Sequence, residues 1–308
     1  MMKKTVALLM AAMMVFGLAA CGQKDSPETK APAEGTEAKT TQAAEGETAQ
    51  GTEGQTAAAA DKEEEWKRTS LTVGFDAEFP PYGYMDDNGD YVGFDLDLAA
   101  EVCKRQGWDL VKQPINWDTK DEQLSTGAID CIWNGFTMNG RENNYTWTVP
   151  YVDNSQVFVV ADDAGIAAKA DLAGKVVGVQ ADSSALAALE DEENQENLDL
   201  AASFADLKQF ADYNTGFMEL EAGSIDALAM DIGVANYQIA QRDGGFLILP
   251  EKEYLATEQY AVGFLLGNES LRDIVQETLM EMVDDGTFMK IAEQYADFGL
   301  TDAVCLGK

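Results

Sequence analysis

Two long extended stretches, 151–160 (Tyr-Val-Asp-Asn-Ser-Gln-Val-Phe-Val-Val) and 259–266, limit the possible folds more than any other feature of this chain. The unit before the first stretch and the unit between the two follow the same plan of strands alternating with helices. A chain that leaves one unit along an extended segment and returns along another makes the first unit discontinuous. The C-terminal segment must then complete it. That segment predicts helices over 271–285 and 287–298, with Ile274, Leu279 and Met282, then Phe288, Ile291 and Tyr295, at core-facing spacing. The folded region, from about Trp66 to the C-terminus, is long enough for one large domain or two of ordinary size.

The first unit opens with a strand over 71–75. Asp76-Ala-Glu-Phe-Pro-Pro-Tyr follows, and its two prolines exclude both helix and central strand. Asp87-Asn-Gly reads as a hairpin-type turn. Phe94, Leu98 and Val102 then recur at helical spacing up to Gly107, a strand is expected over 109–115, and Trp117 lies in the loop before a helix over 121–126. Strands alternating with helices predict an α/β fold with mostly parallel sheets, whose ligands bind beyond the carboxyl ends of the strands. Asp76, Phe79, Trp117 and the stretch 134–141 all fall just after strands. They are expected to share one sheet edge.

The stretch DCIWNGFTMNGRENNYTWTVPY, 130–151, concentrates the polar chemistry of this unit. A short buried strand breaks at Asn134-Gly135, where glycine permits close approach of the backbone to a ligand. Phe136 follows, Thr137 offers a hydroxyl, and Arg141 carries a planar fork of donors that fits a carboxylate. The same residues would also suit a strand end with a surface arginine.

In the second unit a strand over 176–180 ends at Gln180, and Ser183 and Ser184 open a helix. They are good N-caps, and the free N–H groups of that turn favour an anion. A polar run over 190–197, a strand over 198–201 and a helix over 204–222 are expected next. Asp231 then follows directly on a short buried strand and is placed to bind a cation.

At the N-terminus, Lys3 and Lys4 precede an apolar run over 5–17 and the small-residue site Leu-Ala-Ala before Cys21. Leu-Ala-Ala-Cys-Gly resembles the bacterial lipoprotein lipobox, which implies that residues 1–21 are a signal peptide and that Cys21 is the lipidated, membrane-anchored N-terminus. Residues 22–65, rich in Ala, Glu, Thr, Gly and Gln, are too poor in apolar side chains to fold and read as a tether. The formal net charge of −34 argues against nucleic acid as a partner. The three cysteines beyond Cys21 allow at most one internal pair, with Cys103 and Cys131 the candidates, and their spacing offers no zinc site.

The residues VGFDAEFPPYGYMDDNGDYVGFDLDLAAEV, GAIDCIWNGFTMNGR, PYVDNSQ, DLAGKVVGVQADSSA, IDALAMD and LMEMVDDGTFMKIAEQY occur in an order similar to that of the solute-binding proteins of polar-amino-acid ABC transporters, family 3. The resemblance implies a two-lobed periplasmic-binding-protein fold of type II with a two-strand hinge. Lobe 1 would comprise 66–155 and 258–308, and lobe 2 would comprise 156–257. It further implies a monomer that closes around an amino acid and delivers it to a membrane permease with its ATPase, binding no cofactor itself.

By that resemblance Arg141 would clamp the α-carboxylate, helped by the Thr137 N–H and by Ser183 or Ser184. Asp231, the Gly135 carbonyl and the Thr137 hydroxyl would take the α-ammonium. Asp76 would reach the ligand side chain between Phe79 and Trp117, with Asn134, Phe136 and Gln180 as further contacts. Two departures stand out. The loop between Thr137 and Arg141 is one residue shorter than usual, and Asp182 stands where a glycine is common. Asp76 and Asp182, with no spare pocket cation in view, point to arginine, lysine, histidine or glutamine as ligand. A sensor domain, or a lyase or dehydratase on the same fold, is the alternative. The absence of histidine removes the commonest general base and argues against an enzyme.

Overall fold

The computed structural model describes residues 67–242 and 244–308, so the signal segment, Cys21, the tether and Trp66 lie outside the described residues. Strand β1 (Ser70–Phe75) leads into a small ribbon of β2 (Glu78–Phe79), β3 (Gly83–Met85) and β4 (Tyr91–Val92). Helix α1 (Phe94–Gln106) carries Asp95 and Asp97 in its first turn and Lys104 and Arg105 in its last, both favourable to the helix dipole. It stops at Gly107, whose φ of +72° lets its N–H reach the Lys104 carbonyl while the Trp108 N–H returns to that of Cys103.

Next come β5 (Asp109–Pro114), a single turn at Trp117–Thr119, α2 (Lys120–Ser125), β6 (Cys131–Ile132) and β7 (Tyr145–Trp147). The chain then passes through β8 (Val152–Ala161) to β9 (Val176–Gln180), α3 (Ser184–Leu189), α4 (Gln195–Ser203), β10 (Asp206–Phe210), α5 (Tyr213–Glu221), β11 (Ala227–Asp231), α6 (Ile232–Ala240) and β12 (Phe246–Ile248). It returns through β13 (Ala256–Tyr260) to β14 (Gly263–Leu265) and the helices α7 (Glu269–Asp284) and α8 (Thr287–Ala292).

These strands build two lobes. One sheet has the order β5-β1-β6-β14-β7, and the other β10-β9-β11-β8-β12 with β13 added to β8. In each lobe the strands of the βα units run parallel, β1 with β5 and β6, and β9 with β10 and β11. The strands that carry the chain across or back, β8, β13 and β14, pair antiparallel, so both sheets are mixed. Strands β8 and β13 pair with each other from Val152–Tyr260 to Gln156–Ala256 and form the ribbon between the lobes. The C-terminal helices pack on the first lobe, where Phe94 meets Phe288 and Tyr295 edge-on at 5.9 and 5.8 Å.

Three expectations are corrected. Residues 198–201 lie in helix α4 rather than a strand. Asn194 caps that helix by accepting the Asn197 N–H at 3.2 Å, and Asn197 is buried with its amide donating to the Ala188 and Leu255 carbonyls. The helix expected over 204–222 begins only at Tyr213. Its first part is β10, drawn into parallel register with β9, and the Asp212 carboxylate marks the true start by accepting the Thr215 N–H at 2.6 Å. Cys103 and Cys131 are not joined; both are free and buried in the core of the first lobe, where they pack as small apolar side chains. Burial, with the Asp109 and Asp130 charges, pushes the Cys103 thiol up to about 12. Among the described residues no helix is long and apolar enough to cross a membrane, and no cluster of His, Cys, Asp and Glu is arranged to hold a metal ion.

Candidate ligand-binding site

Strand ends from both lobes converge on one narrow cleft. Phe79, Trp117, Gly135 and Thr137 line it from the first lobe, and Gln180, Ser183, Ser184 and Asp231 from the second, around about 230 Å³ of empty space that includes its mouth. Each comes from where a strand stops. Phe79 follows β1, Gly135 and Thr137 follow β6, Gln180 ends β9 with Ser183 and Ser184 just after it, and Asp231 ends β11.

The turn after β6 is held from behind. Gly135 has a φ of +55°, and a Cβ there would lie 2.8 Å from the Phe79 ring and 3.0 Å from that of Tyr260, so only glycine fits. Its N–H does not point at the cleft; it donates to Asp95 Oδ2 on α1 at 2.5 Å, and the Tyr151 hydroxyl donates to the same oxygen at 2.9 Å. Asp95 is fully buried, and burial pushes its carboxyl up to about 7. Asn134 and Phe136 lie behind the wall and are not among its lining residues. Phe136 is core, packed against Trp117, Tyr145 and Trp147, and Asn134 is buried with neither amide atom hydrogen-bonded within the protein.

Arg141 sits at the lip with its guanidinium over the Phe136 ring at 5.5 Å. It donates to the Thr137 carbonyl at 3.3 Å and, across the cleft, to Ser184 Oγ at 3.1 Å and the Asp182 carbonyl at 3.4 Å. Ser183 caps α3 by accepting the Leu186 N–H at 3.2 Å. Asp76, just outside the cavity lining, accepts the Glu78 N–H at 2.9 Å and the Gln180 amide at 2.7 Å, a further bond between lobes. Burial pushes the Asp76 carboxyl up to about 6, the Asp212 and Glu78 charges adding to the effect and the two hydrogen bonds opposing it.

The floor is a buried acid pair. Asp231 accepts from Tyr260, Tyr213, Asn154 and Gln156, and Asn154 Nδ2 and Gln156 Nε2 each also donate to Glu258 Oε1, all four amide contacts at 2.7 Å. The Thr137 hydroxyl donates to the same Glu258 oxygen at 2.8 Å, and Thr137 itself lines the cleft. Burial raises the pKa of both carboxyls, and the Asp231 charge raises that of Glu258 further, to about 7. Among the described residues neither forms an ion pair with a lysine or arginine.

The sequence reading missed Asp95, Asn154, Gln156, Lys120 and Glu258. A signal existed for two of them: Asn154 and Gln156 alternate along an apolar strand and so share one face, a buried polar stripe. Lys120 does not line the cleft but lies beside its Trp117 wall. It is buried, its ammonium stands 5.0 Å from the Trp117 ring centre, and it pairs with the Asp182 carboxylate of the other lobe. Asp182 is therefore engaged by the protein itself.

Such a cleft, with two mixed lobes, a strand ribbon between them and polar strand ends meeting face to face, defines a solute-binding fold. Residues 71–298 match the model of the bacterial extracellular solute-binding proteins, family 3, and the chain belongs to that family. It is 27% identical to the L-cystine-binding protein TcyJ of Escherichia coli K12 over 232 residues, 74% of this chain and 83% of that one. To the arginine-binding extracellular protein ArtP of Bacillus subtilis it is 25% identical over 298 residues, covering 96% and 98% of the two chains. Among solved structures it resembles an ABC uptake transporter substrate-binding protein from Streptococcus pneumoniae with bound histidine, with a TM-score of 0.69, 30% identity, and 80% and 97% of the two chains covered. It also resembles an ancestral amino-acid-binding protein described as a precursor of cyclohexadienyl dehydratase, with a TM-score of 0.67, 27% identity, and coverage of 76% and 98%.

Proposed function

We propose that this protein captures a free amino acid between its lobes and hands it to an ABC permease for ATP-driven import, held at the outer face of the cell membrane through lipidated Cys21. The observation that carries the reading is the mixture in one cleft. An arginine fork at the lip, hydroxyls from both lobes, a buried carboxylate without a cation and two aromatic walls together suit a zwitterion. Arg141 and Ser184 would take the α-carboxylate, and Asp231 with Thr137 the α-ammonium. Phe79 and Trp117 would flank the side chain, and Asp76 would meet its end. The homologues' names, which include cystine-, arginine- and histidine-binding proteins, support amino acids as the class. Raised carboxyls at Asp76 and Glu258 keep one rival alive, an acid–base lyase or dehydratase in the same cleft.

The test is a thermal-shift screen of residues 66–308, stripped of carried-over ligand, against the twenty amino acids and cystine. A ligand that binds only the native state raises Tm by mass action. Arginine, lysine, histidine or glutamine should give the largest shift, lost in Arg141→Ala. Shifts with aspartate or glutamate alone would refute the ligand class. Chemical conversion of the bound compound would favour the enzyme.

A further inference from the structure

Lys120 and Asp182 belong to different lobes, and their ion pair spans the mouth of the cleft beside Trp117. Two features mark it as more than a surface contact. Lys120 is 2% exposed, and an ammonium so buried is tolerated only with a partner. Its other contacts are the Trp117 carbonyl at 3.4 Å and the Trp117 ring, so Asp182 supplies its counter-charge. Asp182, for its part, is the one non-glycine residue with a left-handed backbone among the described residues, at φ +56°, a conformation that costs an L-residue energy. The turn from β9 to α3 thus keeps a strained carboxylate where glycine would be relaxed.

Resting on the proposed capture function, we propose that Lys120 and Asp182 act as a clasp that forms only when the lobes meet and sets how long the ligand is held. The pair makes no bond to the amino acid itself. When the lobes part, Lys120 loses its counter-charge and both groups return to water, so the pair favours the closed form over the open one. Ligand enters the open form, in which the pair is absent, so the rate of entry is left alone. Release requires the pair to break. Asp182 is half exposed, which places the effect between that of a surface pair and a buried one.

The test is a double-mutant cycle on ligand release. Lys120→Met keeps the volume and removes the charge, and Asp182→Asn removes the charge while remaining among the residues that best tolerate a left-handed backbone. Radiolabelled L-arginine, L-histidine and L-cystine serve as probes, with dissociation followed at low and high salt. Each single variant should release ligand about tenfold faster, equivalent to about 1.4 kcal/mol. The double variant should be no faster than either single one, and association rates should be unchanged. Added salt should speed release from the wild type more than from Lys120→Met, a response that a packing defect would not give. Equal release rates, or single effects that simply multiply in the double variant, would overturn the clasp while leaving the capture function intact. A wild-type protein that binds none of the three probes and none of the twenty amino acids would overturn both.

Discussion

Replacing Glu258 with glutamine should change how stability depends on pH, in a direction that the structure fixes. Glu258 is 7% exposed, shares two amide donors with Asp231 and has its pKa raised from the usual 4.5 to about 7. Between those values the folded protein holds a proton that the unfolded chain has released. Unfolding free energy therefore falls as pH rises from about 4.5 to about 7, and the loss is complete above that. A shift of this size corresponds to a loss on the order of 3 kcal/mol. Glu258→Gln keeps an acceptor for Thr137, Asn154 and Gln156 and removes the titration. In thermal melts of residues 66–308 from pH 4.5 to 8, the variant should match the wild type at the acid end and exceed it by roughly 6–12 °C at pH 8. Asp76 and Asp95, also raised, bend both curves alike, so the difference reports the acid pair, Glu258 directly and Asp231 through the loss of its neighbour's charge. Two parallel curves would refute the argument, because they would mean that Glu258 is ionised at no cost in the fold.

A ligand ammonium placed on Asp231 supplies the cation that the acid pair lacks, so amino-acid binding should release protons and tighten as pH rises through 7; calorimetry in buffers of different ionisation enthalpy reads both effects. Gly135→Ala combines a left-handed backbone with a Cβ pressed against Phe79 and Tyr260, and should cost about 3 kcal/mol, a fall in Tm of roughly 10 °C. Asp231→Asn should weaken amino-acid binding at least a hundredfold while melting within a few degrees of the wild type, because three of its four donors reach the one oxygen that asparagine keeps and the Tyr213 hydroxyl can turn to accept from the new amide. Thiol titration of denatured 66–308 should count three free cysteines with or without prior reduction.

Much of the fold was legible because its signals are local. The period-2 and period-3.6 patterns, the Gly107 stop and the prolines after Asp76 each depend on a few neighbouring residues. The failures are non-local. Residues 206–210 become a strand because β9 offers them a parallel partner, and the helix-like run through 204–222 conceals this. In the site, strand-end residues could be listed from sequence, since a ligand site in such a sheet lies beyond the strand ends. What each one bonds could not. The Gly135 N–H, in a turn expected to bring backbone close to a ligand, goes to an aspartate forty residues away, and Lys120, which the sequence did not single out, is buried where Asp182 meets it from the other lobe.

The placement of the acid pair joins recognition to the hinge. Asn154 and Gln156 lie on β8 and Glu258 on β13, the two strands of the inter-lobe ribbon, and Asn154 is the direct register partner of Glu258. Asp231 pairs with Gln156 in the adjoining register of β11. The groups that fix the orientation of the carboxylate proposed to take the ammonium are therefore carried on the two strands that link the lobes. A ligand ammonium against an ionised Asp231 would strengthen the carboxylate's four hydrogen bonds and offset with its positive charge the repulsion from Glu258. On the proposed capture function, such a ligand would interact differently with the open and closed lobes, which is the condition for it to shift the balance between them. A hinge with an apolar face at 154, 156 and 258 would leave the cleft's chemistry and the lobe motion unconnected. Here one polar network runs through both the candidate site and the ribbon between the lobes.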